Sequence, residues 1–111
     1  MAEEDTATCP CLSGKSRFDT FTTLATDDSL PAGGFEISRC RRCRRVWLKL
    51  RFEIESISRS GRWFSGVIPE DSIALISPEN VVAVLTALPW HLCGGSYFDG
   101  NVSRRAGSLL L

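Results

Sequence analysis

The sequence predicts a small α+β protein, with an antiparallel β-sheet and one helix packed on its apolar face. Two observations predict this class. Residues 46–55 alternate between apolar and polar side chains, and residues 77–88 repeat apolar side chains at helical spacing. The chain has 111 residues, the usual length of one domain. We therefore expect a disordered stretch over 1–8 and a single domain over 9–111.

The alternating stretch is the clearest strand, because a period of two places its apolar side chains on one face of a sheet. That face comprises Val46, Leu48, Leu50, Phe52 and Ile54, and the opposite face comprises Trp47, Lys49, Arg51, Glu53 and Glu55. The pattern predicts a strand that is buried on one side. Further strands are predicted over 17–26, 35–39, 62–68 and 73–76, with loops over 27–34 and 90–101.

The helix over about 77–88 has recognisable start and stop signals. Ser77 is the predicted N-cap, Pro78 suits the first helical position, and Pro89 ends the helix. Its apolar stripe comprises Val81, Val84, Leu85 and Leu88. After the helix, Leu109–Leu111 is predicted to form a last strand or a segment packed on the sheet.

Four of the five cysteines fall into two close pairs, and the second pair lies directly before the alternating strand. The pairs are Cys9 with Cys11 and Cys40 with Cys43, and 28 residues lie between them. A strand and its return fit in that interval, so both pairs can close on one metal ion. In a reducing compartment such pairs bind metal more often than they form disulfides. Reduced thiols and a disulfide pairing are the alternatives.

The order of strand, cysteine pair and strand around Cys40 and Cys43 resembles the knuckle of a zinc ribbon. The resemblance covers about residues 9–57. It implies a structural zinc ion, Zn²⁺, held by Cys9, Cys11, Cys40 and Cys43. With all four positions filled by protein thiolates, such a site stabilises the fold and activates no water.

Two features depart from the zinc-ribbon pattern. One residue, where ribbons usually have two, separates the cysteines of the first pair. Arg44 stands where a glycine commonly follows the second pair. These departures leave His91 or Cys93 as an alternative source of one ligand.

Five arginines surround the second cysteine pair. Residues 39–62 carry nine bases and two acids, a net charge of +7, although the whole chain has a formal net charge of 0. Guanidinium groups bind carboxylates and phosphates. The candidate partner-binding residues are Arg41, Arg42, Arg44, Arg45 and Trp47. The structural alternative is that these cations offset the formal charge of −2 on a tetrathiolate zinc site.

A protein partner and a nucleic acid both fit this basic segment. The Arg39–Arg45 cluster can contact phosphates while a base stacks on Trp47. Residues 1–38, however, carry a net charge of −5, unlike a committed nucleic-acid binder. We therefore expect a small metal-stabilised binding protein acting through protein–protein interaction. Its character resembles that of an adaptor or of a small bacterial immunity protein, and a nucleic-acid-binding zinc-ribbon protein is the alternative.

Other function classes find little support in the sequence. His91 and Cys93 have no readable third residue to orient them, and no phosphate-binding glycine loop or serine elbow occurs. We therefore expect that the protein is not an enzyme. The first twelve residues lack the pattern of a secretory signal, and no run approaches the roughly 20 apolar residues of a membrane span. These observations predict a cytoplasmic protein.

Overall fold

The computed structural model of the protein describes residues 9–13, 20–54 and 56–109. Within these residues the chain forms a sheet of six strands and one α-helix. The strands are β1 (Phe21–Asp27), β2 (Gly33–Cys40), β3 (Val46–Phe52), β4 (Arg62–Ile68), β5 (His91–Gly94) and β6 (Ser103–Arg105). The helix α1 (Val81–Ala87) lies between β4 and β5, and short 3-10 helices cover Pro10–Ser13, Glu70–Leu75 and Ser96–Phe98.

Each strand pairs antiparallel with the next strand along the chain, in the order β1-β2-β3-β4-β5-β6. The β2–β3 register runs from Gly33 opposite Phe52 to Arg39 opposite Val46, so this hairpin turns over residues 40–45. The second cysteine pair therefore lies at one end of the sheet. The prediction of a small α+β fold with an antiparallel sheet and one helix is confirmed.

One face of the sheet, which we call the helix-covered face, carries the larger hydrophobic core. Its ten buried residues are Phe35, Ile37, Val46, Leu48, Leu50, Phe64, Ile68, Val81, Leu85 and Cys93. Helix α1 contributes Val81 and Leu85, both 0% exposed. Gly66 allows the close approach, because a Cβ there would lie 2.4 Å from Cδ1 of Leu88. The predicted apolar stripe therefore packs on the sheet.

The opposite face, which we call the cysteine–tryptophan face, carries a second core. Cys9, Cys11, Cys40, Trp47 and Leu92 are buried there, and the rings of Trp63 and Trp90 pack against them. The expectation that β3 is buried on one side is wrong for its first half. Because the chain from Cys9 to Ser13 covers that end of the sheet, Trp47 is only 3% exposed.

The helix is shorter than the predicted span of about 77–88. It begins at Val81, and its N-cap is Asn80 where Ser77 was predicted. The Asn80 side chain bonds back along the chain, accepting from the N–H of Ser77 at 2.8 Å and donating to the carbonyl of Leu75 at 2.7 Å. These bonds hold residues 77–80 as a turn, and Pro78 lies in that turn.

Three other local predictions are corrected by the structure. Residues 73–76 do not form a strand, because the chain after Pro69 winds into the 3-10 helix Glu70–Leu75. The region 90–101 is not all loop, since β5 joins the sheet beside β4. Strand β3 ends at Phe52 rather than continuing to residue 55. There the hydroxyl of Ser60 binds both the N–H and the carbonyl of Ile54, which turns the chain away from the sheet.

Some predictions for the two ends of the chain fall on residues that the structure does not describe. Residues 1–8, predicted to be disordered, and residues 14–19, which include positions 17–19 of the first predicted strand, lie outside the described residues. Of the tail, Leu109 packs against the core of the helix-covered face, and residues 110 and 111 are likewise not described. Among the described residues, no helix has the length and apolar character needed to cross a membrane.

Candidate metal centre

Two separate turns bring the cysteine pairs together at the end of the sheet. Cys9 and Cys11 come from the 3-10 turn at the N-terminal end of the described chain, where the N–H of Leu12 donates to the carbonyl of Cys9 at 3.0 Å. Cys40 is the last residue of β2, and Cys43 lies in the turn between β2 and β3. Each pair is therefore presented by a tight turn, and the β1–β2 pairing supports the hairpin that carries the second pair.

The four sulfur atoms form one compact cluster. All four lie within 4.8 Å of one another. The Sγ atoms of Cys9 and Cys40 are 3.6 Å apart, and those of Cys11 and Cys43 are 3.5 Å apart. In a tetrahedron with zinc–sulfur bonds of about 2.3 Å, neighbouring sulfurs are separated by about 3.8 Å. The observed spacing therefore fits four thiolates around a single metal ion.

The cluster is shielded from water on most sides. Cys9, Cys11 and Cys40 are 4%, 2% and 0% exposed, whereas Cys43 is only half-buried. Trp47 and the other residues of the cysteine–tryptophan core pack against the thiols. A metal ion held here would have one accessible ligand and a largely apolar surround.

Hydrogen-bond donors face two of the sulfurs. The N–H of Cys11 donates to Cys9, and both the N–H and the guanidinium of Arg45 donate to Cys43. Burial by itself raises the pKa of Cys43. The two Arg45 donors and the thiols of Cys11 and Cys40 outweigh burial, so the pKa of Cys43 is lowered to about 7. Burial is the main cause of the raised pKa values of Cys9 and Cys11. Binding a metal cation would displace the protons that these two thiols hold.

The turn after the second cysteine pair holds a non-glycine residue in a left-handed backbone conformation. Arg44 adopts φ of 71°, in the left-handed region that glycine occupies most readily. The N–H of Arg44 donates to the carbonyl of Cys40 at 2.9 Å, and the N–H of Cys40 donates to the carbonyl of Arg45 at 2.9 Å. At this position, where the sequence has arginine and not glycine, the chain therefore adopts a backbone conformation that glycine favours.

The five arginines of the basic cluster have different surroundings. Arg39 forms two hydrogen bonds with the carboxylate of Glu70, both 3.0 Å, and Arg45 is turned toward the Cys43 sulfur. Arg41, Arg42 and Arg44 are exposed. Arg41 also donates from Nε to the hydroxyl of Thr22 at 3.1 Å. Three of the five guanidinium groups are thus left at the surface.

Trp47 lies inside the protein and not beside the exposed arginines. Its ring packs on Trp90 with centroids 6.0 Å apart in an edge-to-face arrangement. The prediction that Trp47 belongs to a partner-binding surface is therefore wrong. The ring instead forms a wall of the cysteine cluster.

His91 and Cys93 lie apart from the cysteine cluster. Both are 0% exposed, and Cys93 belongs to the core of the helix-covered face. The His91 ring packs edge-to-face on Phe64, and the Cys93 sulfur lies 3.2 Å from the hydroxyl of Ser103. The alternative that either residue supplies one of the four ligands is therefore not supported by this arrangement.

Sequence reasoning missed the two residues that support the cluster most directly. Arg45 was predicted to bind a partner, whereas its guanidinium donates to Cys43. Trp47 had a readable signal, because a tryptophan on the polar side of an alternating strand indicates cover from elsewhere in the chain. For Arg45 the only signal was its position two residues after a ligand cysteine.

Comparisons with family models, with curated proteins and with solved structures found no match for this chain. The resemblance to a zinc ribbon therefore rests on the cysteine cluster and on the turn geometry around it.

Proposed function

We propose that the four cysteines bind one structural zinc ion. Thiolates are the ligands that zinc favours in structural sites, and four of them complete its tetrahedral coordination. The support is the spacing of the sulfurs, 3.5 and 3.6 Å for the two nearest cross-pair contacts. The residues that would hold the ion are Cys9, Cys11, Cys40 and Cys43. A closed coordination shell leaves no position for a reacting water, so the ion would stabilise the fold.

Elemental mass spectrometry of the purified protein tests this assignment. One zinc per chain is the expected result. Four thiolates in a tetrahedron also suit iron. If iron is found instead, recognised by its visible absorption, the four-cysteine site stands and only the identity of its metal ion changes. Protein that folds fully without any bound metal would overturn the assignment.

We further propose that the protein acts by binding another protein through the exposed arginines of the cysteine hairpin. The single observation that carries this proposal is the exposure of Arg41, Arg42 and Arg44 on a short turn between two paired strands. Among the described residues, no ion pair engages Arg42 or Arg44. A turn held between two paired strands loses little backbone freedom on binding, and the positive charge of its arginines favours an acidic surface as the partner.

A nucleic acid is the weaker candidate for the same surface. Its phosphates would suit the arginines, but stacking on Trp47 is excluded by the burial of that ring. The formal net charge of 0 also gives the whole chain no long-range attraction for a polyanion. Of the two candidates, an acidic protein surface needs fewer additional contacts.

The type of binding protein and its location are proposed from its small size, its one charged surface and its free thiols. A small protein with one charged binding surface suits the role of an adaptor, or of an immunity protein that masks its target. We propose a cytoplasmic location, because the thiols must stay reduced to bind metal. We assign no catalytic role to His91 and Cys93, since both are fully buried. The protein is therefore proposed to be a binding module and not an enzyme.

The binding surface is tested by affinity capture with two matched charge reversals. Arg41→Glu combined with Arg42→Glu should abolish capture of a partner that the wild-type protein retains. Arg51→Glu combined with Arg59→Glu changes the net charge equally at the opposite end of β3, where both arginines are exposed, and should leave capture intact. Equal loss in both variants would point to a general charge effect and contradict this interface. Binding of short oligonucleotides that weakens with added salt would favour the nucleic-acid alternative.

A further inference from the structure

The four sulfurs of the cluster approach one another in pairs that cross between the two turns. The Sγ atoms of Cys11 and Cys43 are 3.5 Å apart, and those of Cys9 and Cys40 are 3.6 Å apart. Each contact joins the N-terminal turn, residues 9–13, to the hairpin turn, residues 40–45. A disulfide has a sulfur–sulfur bond of about 2.0 Å, so each contact needs to shorten by about 1.5 Å. The spacing that suits a metal ion therefore also places sulfurs of different turns within reach of bond formation.

Cys43 is the sulfur that a dissolved oxidant reaches first. It is half-buried, whereas Cys9, Cys11 and Cys40 are 4%, 2% and 0% exposed. Cysteine oxidation depends on thiolate character and on exposure. All four residues are thiolates when they hold a metal ion, so exposure decides which of them reacts. The sulfur of Cys11, 3.5 Å away on the other turn, then lies beside the oxidised residue.

We propose that Cys43 is a site of oxidation by peroxides, that Cys11 resolves the oxidised residue into a disulfide, and that this disulfide opens the metal site. The last part rests on the proposed zinc ion. In the first step the Cys43 thiolate attacks one oxygen of hydrogen peroxide. A sulfur–oxygen bond forms, the oxygen–oxygen bond breaks, and hydroxide leaves.

In the second step the Cys11 thiolate attacks the sulfur of the Cys43 sulfenic acid. The disulfide bond forms, the sulfur–oxygen bond breaks, and a second hydroxide leaves. The two cysteines together lose two electrons. The peroxide gains them and ends as two molecules of water, after the two hydroxides take up two protons from the solvent.

The disulfide would replace the metal ion as the link between the two turns. With only Cys9 and Cys40 left as thiolates, zinc loses half of its tetrahedral shell and is released. Cys11 and Cys43 are 32 positions apart, and their disulfide would keep the N-terminal turn over Trp47. A disulfide between Cys40 and Cys43 would instead leave the N-terminal turn unattached. The oxidised protein should therefore keep its fold while it loses its ion.

Titration with hydrogen peroxide in the presence of a colorimetric zinc chelator tests the exchange of metal for disulfide. The chelator is chosen so that the untreated protein stays loaded. One zinc ion should be released for each disulfide formed, and a phosphine reductant with added zinc should restore the loaded protein. Cys93→Ser is the matched control, because Cys93 is a buried cysteine outside the cluster, and it should release zinc like the wild type. Zinc that stays bound after the disulfide has formed would overturn the proposal.

Peptide mapping identifies which sulfurs are joined. Cleavage after aromatic residues leaves Cys9 and Cys11 together in the peptide 1–18, and Cys40 and Cys43 together in the peptide 36–47. The expected product links these two peptides, and fragmentation should place the bond between Cys11 and Cys43. A disulfide closed inside either peptide would contradict the proposal.

The mapping needs no metal, so it separates failure of the oxidation site from failure of the zinc assignment. Protein that is purified without metal but forms the Cys11–Cys43 disulfide contradicts the zinc ion alone. Zinc-loaded protein that forms no disulfide between the two turns contradicts the oxidation site alone.

Cys43→His tests the role of the exposed sulfur. The variant keeps four ligands of a kind that zinc accepts, and it should release zinc under peroxide at least about tenfold more slowly than the wild type. Release at the wild-type rate would show that a more deeply buried cysteine reacts first. If the variant holds no zinc, the mapping of the wild-type protein decides.

Discussion

The two faces of the sheet are held together by different means. On the helix-covered face, α1 and the 3-10 helix Glu70–Leu75 pack aliphatic side chains against the strands, as in most small domains. On the cysteine–tryptophan face, a few residues from Cys9 onward cover the end of the sheet through thiols and tryptophan rings. The first face has enough apolar surface to form a core by itself. The second has less, which is where a metal ion contributes most to a small domain.

Replacing one cysteine of the cluster should have the largest effect on stability of the substitutions considered for the two faces. If the cluster holds the proposed zinc ion, Cys40→Ser should lose that ion and, with it, stabilisation on the order of 10 kcal/mol, because a structural ion of this kind binds the folded chain. We expect the near-ultraviolet circular dichroism of the tryptophans to collapse, since Trp47 packs on the cluster. Urea titration with parallel metal analysis measures both effects.

The fifth cysteine provides the matched control. Cys93→Ser makes the same substitution at a site that is also 0% exposed but lies on the helix-covered face. The variant should keep one metal per chain and lose only about 1–3 kcal/mol, as for ordinary core substitutions. Equal stability of the two serine variants would show that the cluster does not hold the fold together.

The same contrast explains which features could be predicted from the sequence. The strand β3 and the stripe of α1 were readable because local periodicity sets which side chains face a core. The candidate ligands were readable because two close cysteine pairs are a local pattern. The burial of Trp47 had only an indirect signal, a tryptophan on the polar side of β3, and the segment that covers it was not readable because residues 9–13 fold over the sheet from more than 30 positions away. Contacts between distant segments leave no period in the sequence.

Two local errors have local physical causes. The helix start was misplaced because Ser77 and Asn80 are both good N-caps, and the side-chain bonds of Asn80 to residues 75 and 77 select the later one. Strand β5 was missed because its four residues, HLCG, lie between a proline-terminated helix and a glycine. All four are buried, so alternation was absent. Four-residue strands of this kind are recognised from their neighbours in the sheet.

Lowering the pH should reduce the stability of the fold, because His91 is buried on the helix-covered face. The ring is 0% exposed, and neither ring nitrogen has a hydrogen-bond partner among the described residues. Burial, helped by the charge of Arg105, lowers the pKa of His91 below its ordinary value of 6.5. The unfolded chain therefore takes up a proton at a higher pH than the folded one. Stability is fully present above about pH 6.5 and is lost as the pH falls below it, by at most about 1.4 kcal/mol per pH unit.

His91→Leu separates this effect from protonation of the four clustered cysteines. The variant keeps the cysteine cluster but has no ring to protonate, so its stability should fall less steeply between pH 6.5 and the pKa of His91. Urea midpoints measured across that interval give the difference between the two slopes. Parallel slopes would mean that His91 is accessible to protons in the folded state, contrary to its burial.

Substitution of Arg44 should produce the smallest effect, and it addresses the hairpin that carries the second cysteine pair. A non-glycine residue in the left-handed region costs about 1–2 kcal/mol, while glycine adds about 0.5–1 kcal/mol of entropy to the unfolded chain. Arg44→Gly should therefore raise the free energy of unfolding by about 0.5–1 kcal/mol. Arg44→Ala removes the same side chain without relieving the backbone and should stay within about 0.5 kcal/mol of the wild type. If the two variants are equally stable, Arg44 is not held at φ of 71° in solution, and the left-handed geometry of this turn would have to be abandoned. If glycine stabilises as expected, the exposed arginine at this position costs stability, and a binding role for its side chain would account for that cost.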